Sequence, residues 1–280
     1  MKKYFALVLA MVMSVSVLAG CGNNAPKADA GPAEDTAKVE RTKLIVGFDA
    51  EYPPYGYRNE AGDYVGFDLD LAHEVCNRRG WELVKQPIDW DAKDMELNSG
   101  SIDCIWNGFT MTGREANYTF SDPYVDNSIV FVVRADSGIK AKADLAGKAV
   151  MTQSDSSALT ALTNEEDNEE NLALAASFAS LEQTGDYNSA FMNLEAGSID
   201  AIAVDIGVAQ YQLASRGDVF AMLEEPLSTE QYGVGFRLGD TELRDQVQET
   251  LYEMLEDGNF DAIVANYKEY NLDQMVCLGK

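Results

Sequence analysis

Residues 95–105 read MELNSGSIDCI and residues 192–202 read MNLEAGSIDAI, identical at seven of eleven positions across an offset of 97 residues. Each copy has the pattern of a helix end, a glycine suited to a left-handed C-cap (Gly100 or Gly197), and then a strand. Chance likeness between two helix–Gly–strand units is one reading, and two similar α/β lobes in one chain is the other. The offset makes the second reading testable. It sets Asp205, where the strand in IDAIAVD runs out, level with Gly108, where the first strand ends. In open α/β sheets ligands gather outside the carboxyl ends of the strands. Two such sheets facing each other would share one cleft, with Arg114 on one wall and Asp205 on the other.

The rest of the chain fits around that pair. Residues 101–115, SIDCIWNGFTMTGRE, begin as a buried strand and give way to Asn107, Gly108, Phe109 and Thr110 before delivering Arg114. Residues 43–49, KLIVGFD, form an apolar strand that leads to a turn at Pro53 and Pro54. Residues 62–80 read as a strand and then a helix that Asp68 caps and Gly80 ends. SIVFVVR (128–134) and QYGVGFR (231–237) are β-rich and suit strands crossing between lobes. From Thr241 the helical period puts Leu243, Val247, Leu251, Met254 and Leu255 on one face. The expected organisation is lobe 1 from 43–128 plus 233–280 and lobe 2 from 129–232.

The N-terminus has a different character. Met1-Lys2-Lys3 and an apolar stretch ending in Leu18-Ala19-Gly20-Cys21 have the form of a secretory leader, too short to span a bilayer. Residues 22–42 are rich in Ala, Gly, Pro and charge, and such a segment cannot offset its ordering entropy by burial. It reads as a tether. Asp and Glu outnumber Lys and Arg by 47 to 21, a net charge of −26. A field of that sign argues against nucleic acid and anionic lipid surfaces as partners. Cys76, Cys104 and Cys277 lack metal-ligand spacing, and the sequence leaves open one bridge (Cys76 to Cys277) or three buried thiols.

Taken in order, GFDAEYPPYGY, GDYVGFDLDLAHEV, GFTMTGRE, TFSDPY, SDSSAL, AGSIDAIAVD and LEDGNFDAIVANY resemble the polar amino-acid-binding proteins of bacterial ABC importers. The resemblance covers essentially all of 43–279. It implies a two-lobed α/β fold, the type II periplasmic-binding-protein (Venus-flytrap) fold, with the ligand cleft between the lobes. It also implies a monomer that captures an extracellular amino acid and delivers it to an ABC permease. Cys21 resembles a lipobox cysteine, which implies cleavage after residue 20 and a lipid anchor on the cell membrane.

By the same resemblance Arg114 binds the ligand α-carboxylate, with Thr110, Gly108 and the pair Ser156 and Ser157 completing that site. A guanidinium forks onto a carboxylate as a lysine cannot. Asp205 takes the α-ammonium, and Tyr52 stacks on the side chain, with Asp49, Glu51 and Trp90 near it. Asn107 and Phe109 belong to the same turn. The acids at Asp49 and Glu51 lean the ligand toward a polar or basic side chain. Two departures stand out: the loop between Thr112 and Arg114 is one residue shorter than the family's, and Asp155 replaces its usual glycine.

Two rival functions use this fold. A cyclohexadienyl-dehydratase-like enzyme would need a general acid in the cleft, where only Asp49, Glu51 or Asp205 could serve. A sensory receptor would need a signalling partner, and no kinase or membrane segment is fused to the chain. No P-loop, G-x-S-x-G or H-E-x-x-H motif is present, so no cofactor or metal is expected. The lone His73 reads as a surface helix residue. The acidic run Glu165 to Glu170 lacks an EF-hand's order and reads as a solvated loop.

Overall fold

The computed structural model describes residues 41–164 and 168–280. The leader, Cys21, most of the tether and residues 165–167 of the acidic run lie outside the described residues. Among the described residues no helix is long and apolar enough to cross a membrane.

Two β-sheets organise residues 41–280. Across the first run Glu82–Pro87, Lys43–Phe48, Cys104–Ile105, Gly235–Arg237 and Tyr118–Phe120. The first three are parallel, and Gly235–Arg237 is antiparallel to both its neighbours. Across the second run Ser180–Thr184, Ala149–Gln153, Ala201–Asp205, Val125–Arg134 and Phe220–Met222. Again the first three are parallel and the fourth reverses. Each sheet is thus the same construction, and Cys104 and Ala201, equivalent in the repeat, start equivalent strands.

The repeated residues are those that fasten helix to sheet. Gly100 and Gly197 cap helices Lys93–Ser99 and Tyr187–Ala196 at φ of 81° and 75°, the left-handed conformation that a glycine adopts without strain. Asp103 accepts from the backbone N–H of Ile45 at 2.8 Å, and Asp200 accepts from that of Ala149 at 3.0 Å. Arg237 donates to the carbonyls of Leu97 (3.2 Å) and Ile102 (2.9 Å). Arg134 does the same to Leu194 and Ile199, both at 3.1 Å. Each arginine ends the fourth strand of its sheet and ties down the turn between helix and third strand.

The run 231–237, expected as one strand, is two. Ser228–Tyr232 pairs antiparallel with Val125–Arg134, whereas Gly235–Arg237 belongs to the first sheet. The break falls at Gly233, whose N–H donates to the Phe109 carbonyl at 3.0 Å instead of continuing a ladder. The chain therefore leaves the first sheet between Phe120 and Val125 and returns between Tyr232 and Gly235. The two connecting strands lie side by side. Helix Thr241–Glu256 buries Leu243, Val247, Leu251 and Met254, as its period requires, and His73 is exposed. Cys76, Cys104 and Cys277 are buried free thiols, which decides between the two cysteine readings.

The paired arginines give a test of the repeat. Arg134→Met and Arg237→Met each leave two turn carbonyls without a charged donor, which costs about 1–3 kcal/mol per site. Urea unfolding should show similar losses for the two; a loss at one site alone would mean that the two turns are not equivalent.

Candidate functional site

The carboxyl ends of both sheets open onto one narrow, nearly filled cavity. Asn107, Gly108, Thr110 and Arg114 line it from the first sheet, and Gln153, Ser156, Ser157 and Asp205 from the second. Tyr52 and Trp90 close its sides.

The first wall is a turn held from behind. Gly108 has φ of +57°, and a Cβ there would sit 3.0–3.3 Å from the rings of Tyr232, Tyr52 and Tyr55, so both conformation and space call for glycine. Its N–H donates to Asp68 Oδ2 at 2.5 Å, and the same oxygen accepts from the Tyr124 hydroxyl at 2.8 Å. This corrects the expectation that Asp68 caps its helix. The N-cap is Gly66, and Asp68 lies within Phe67–Arg79, fully buried, with its carboxylate turned to the ligand-side turn. Burial pushes that carboxyl up to about 7. Asn107 accepts from the Asp49 N–H at 2.8 Å, and its amide nitrogen, buried, has no partner among the described residues.

Arg114 lies over the Phe109 ring, 5.2 Å from its centroid, and donates to the Thr110 carbonyl at 3.4 Å. Among the described residues no carboxylate is within ion-pair distance of it. Phe109 is fully buried between Trp90, Tyr118 and Phe120 and does not line the cavity, so it supports Arg114 and contributes no ring to the cleft.

The second wall begins at a helix N-terminus. Ser156 caps Ser157–Thr163, accepting from Leu159 N–H at 3.1 Å while donating to the Gln153 carbonyl at 2.7 Å. Asp155 takes φ of 55°, the left-handed conformation that favours glycine, and pairs with the buried Lys93 of the opposite lobe. Asp205 ends its strand and starts helix Ile206–Arg216, yet its side chain makes no cap. Asp205 Oδ1 instead accepts from Asn127 at 2.7 Å and from the Tyr232 hydroxyl at 2.5 Å, and the Tyr52 phenol adds a further hydrogen bond. All three donors are neutral. Burial raises the Asp205 carboxyl above its ordinary range.

Contacts cross between the lobes around this cavity. Gln153 donates to Asp49 Oδ2 at 2.6 Å, and Asn188 donates to Glu51. Asp49 and Glu51 thus stand outside the cavity's lining, the first buried and the second exposed. Burial lifts the Asp49 carboxyl to about 6. Glu230, on Ser228–Tyr232, accepts on Oε1 from Thr110 (2.7 Å), Asn127 (2.8 Å) and Ser157 (3.1 Å). Gln153, Asn127 and Glu230 were not singled out from sequence. A signal did exist for Glu230: an acid two positions before the buried Tyr232 shares its strand face.

Matches to known proteins agree with this geometry. Residues 44–270 fit the family model of bacterial extracellular solute-binding proteins, family 3. The L-cystine-binding protein TcyJ of Escherichia coli K12 is 30% identical over 90% of this chain and 91% of its own. An ABC uptake transporter substrate-binding protein from Streptococcus pneumoniae, solved with bound histidine, is 34% identical. It aligns with a TM-score of 0.75 over 80% of this chain and 92% of its own. Tv2483 bound to L-arginine aligns equally well, at 0.75 and 30% identity over 82% of this chain and 92% of its own. The fold is therefore the two-lobed type II arrangement.

Gly207, at the start of helix Ile206–Arg216 in the second lobe, packs against Tyr55 of the first. A Cβ on Gly207 would sit 2.3 Å from the Tyr55 hydroxyl and 2.9 Å from its ring. Gly207→Ala should leave the unfolding midpoint unchanged but hold the lobes apart, seen as a larger radius of gyration in small-angle X-ray scattering. An unchanged radius would show that Tyr55 moves aside.

Proposed function

The chain belongs to the bacterial extracellular solute-binding proteins of family 3, and from that premise we propose that it captures a free amino acid and delivers it to an ABC permease. The observation that carries this reading is a pair of opposite charges on one cavity. Arg114 and Asp205 line it from different lobes, and neither has a partner of opposite charge among the described residues. A zwitterion supplies both: its carboxylate to the Arg114 fork, its ammonium to Asp205. Contacts to both walls exist only when the lobes are closed, so the ligand shifts the population toward the closed form. Ser157 and Thr110 flank the carboxylate, and Tyr52 and Trp90 bound the side chain. Like its relatives, the protein is a binding protein and not an enzyme.

The side chain we assign to the ligand is polar or basic. Beside Trp90 the cavity adjoins an opening lined by Asp49, Glu51, Asp89, Asp91, Glu96 and Asp186, with no basic residue on it. That field attracts cations and repels acidic side chains. The relatives named above bind cystine, histidine and arginine. We place the moving bodies at 43–128 plus 233–280 and at 129–232, turning about the paired connecting strands. Residues 1–20 serve as a leader in this reading, lipid on Cys21 holds the monomer at the cell membrane, and 22–42 lets it reach the permease. Two or more acyl chains give a stable anchor where one does not.

A thermal-shift screen of the purified protein against free amino acids tests the reading. A ligand at 100 times its Kd adds about 2.7 kcal/mol, a rise in Tm of several degrees. One chemical group of amino acids should raise Tm of the wild type and none should raise that of Arg114→Ala. A full response in Arg114→Ala would remove the arginine from the site, and no response in the wild type would exclude amino acids as ligands.

A further inference from the structure

Glu230 lies outside the family-derived clamp, yet its carboxylate is where the two lobes and the connecting strands meet. Three donors converge on Oε1: Thr110 from the first lobe, Ser157 from the second, and Asn127 from the neighbouring connecting strand. Asn127 spends its amide hydrogens on two carboxylates, Glu230 Oε1 at 2.8 Å and Asp205 Oδ1 at 2.7 Å. Two acids therefore stand side by side, joined through one neutral amide: Asp205, buried, on the cavity, and Glu230, half-buried, at its outer edge. The phenols of Tyr52, Tyr55 and Tyr232 face them, and Arg114 lines the same outer opening as Glu230 without pairing to it. Lys93 is engaged with Asp155. Among the described residues no cation pairs with either acid. A separate sign that this space awaits a ligand is the buried, unpartnered amide nitrogen of Asn107 on the cavity wall.

Two neighbouring carboxylates repel each other and lose hydration on closure, so the closed form needs a positive charge between them or a proton on one. We propose that Glu230 is a second carboxylate of the ammonium site, and that the Asp205–Glu230 pair makes closure of the lobes conditional on a cationic group brought in by the ligand. The inference rests on the amino-acid reading for the source of that cation. It also explains how an empty receptor is kept from resembling a loaded one. With no ligand, closing the lobes buries an uncompensated charge pair; with the ammonium in place, it buries a neutralised set.

The sign of the pH effect follows from the same geometry. Loss of water, then the neighbouring Asp205, pushes the Glu230 carboxyl up to about 7 when the cleft is closed. Opening the cleft returns water to the group, which removes the cause of the rise and brings its carboxyl back toward the ordinary range. A group whose pKa is higher in the closed form favours closure fully below the open value and stops doing so as pH rises through the closed one. Low pH therefore closes the empty receptor, and pH above 7 leaves it open.

Small-angle X-ray scattering of the purified protein at pH 5 and pH 8 tests this, without ligand and with an equimolar mixture of the twenty standard amino acids. The wild type should have a smaller radius of gyration at pH 5 than at pH 8 when empty, and the amino acids should compact it at pH 8. In Glu230→Gln, which keeps the size and one acceptor oxygen but removes the charge, the empty protein should already be compact at pH 8, with less than half the wild-type pH shift. Glu230→Asp should keep the shift. Equal radii of the empty wild type at the two pH values, a measurement that needs no variant, would overturn the proposal, as would a full pH shift in Glu230→Gln. If the pH shift and its loss in Glu230→Gln hold while the mixture compacts nothing at pH 8, the gate stands and the amino-acid reading is what fails.

Discussion

A carboxylate taken out of water without a cation beside it is unstable unless something charged arrives, and Asp205 is in that position. Its hydrogen bonds come from Asn127, Tyr232 and Tyr52, all neutral. Such donors orient the group and offset part of its lost hydration, but they do not cancel its charge. Across the cavity Arg114 has the converse deficit, resting on the Phe109 ring and a carbonyl. Each charge is too far from the other to be satisfied within the protein. A zwitterion lying between them would relieve both at once, which requires the two walls to meet over the same small volume.

The scaffold meets that demand by using one construction twice. Arg134 and Arg237 fasten equivalent turns, Asp103 and Asp200 accept from equivalent strand N–H groups, and the third strand of each sheet ends at the cavity. What differs is what the strand end presents. In the first lobe it is a glycine turn whose peptide is gripped by Asp68. In the second it is Asp205 itself. The duplication supplies geometry, and the divergence at Gly108 and Asp205 supplies opposite polarity. The tyrosines between the walls, Tyr52, Tyr55 and Tyr232, fill the remaining space and leave room for no side chain at Gly108 or Gly207.

How much of this could be read in the sequence depended on the range of the interaction involved. The repeat, the caps at Gly100 and Gly197, and the apolar face of the last long helix are local patterns, and the structure has them where the spacing put them. Asp68 was misread because an acid at the start of a helix ordinarily serves the helix. Only the fold shows that Gly66 starts it and that Asp68 faces Gly108, forty residues on. The run 231–237 looked continuous because β propensity does not register which sheet a residue joins; the carbonyl of Phe109, far off in sequence, claims the Gly233 N–H and splits it. Gln153 had no local mark and Glu230 only a weak one, its place on the strand face of Tyr232, since a polar residue in a strand usually means a solvated face. Their partners, Asp49 and Thr110, lie more than a hundred residues away.

The account stands or falls on the ligand bridging the lobes through both of its backbone charges. Isothermal titration should compare the tightest-binding amino acid with its α-carboxamide, which lacks the carboxylate, and its N-acetyl form, which lacks the ammonium. Each derivative leaves a desolvated charge in the protein unpaired, so each should bind at least about a hundredfold more weakly, on the order of 3 kcal/mol. If either derivative bound as tightly as the parent, the corresponding jaw, Arg114 for the amide or Asp205 for the acetyl form, would not hold the ligand, and the bridging account would be wrong.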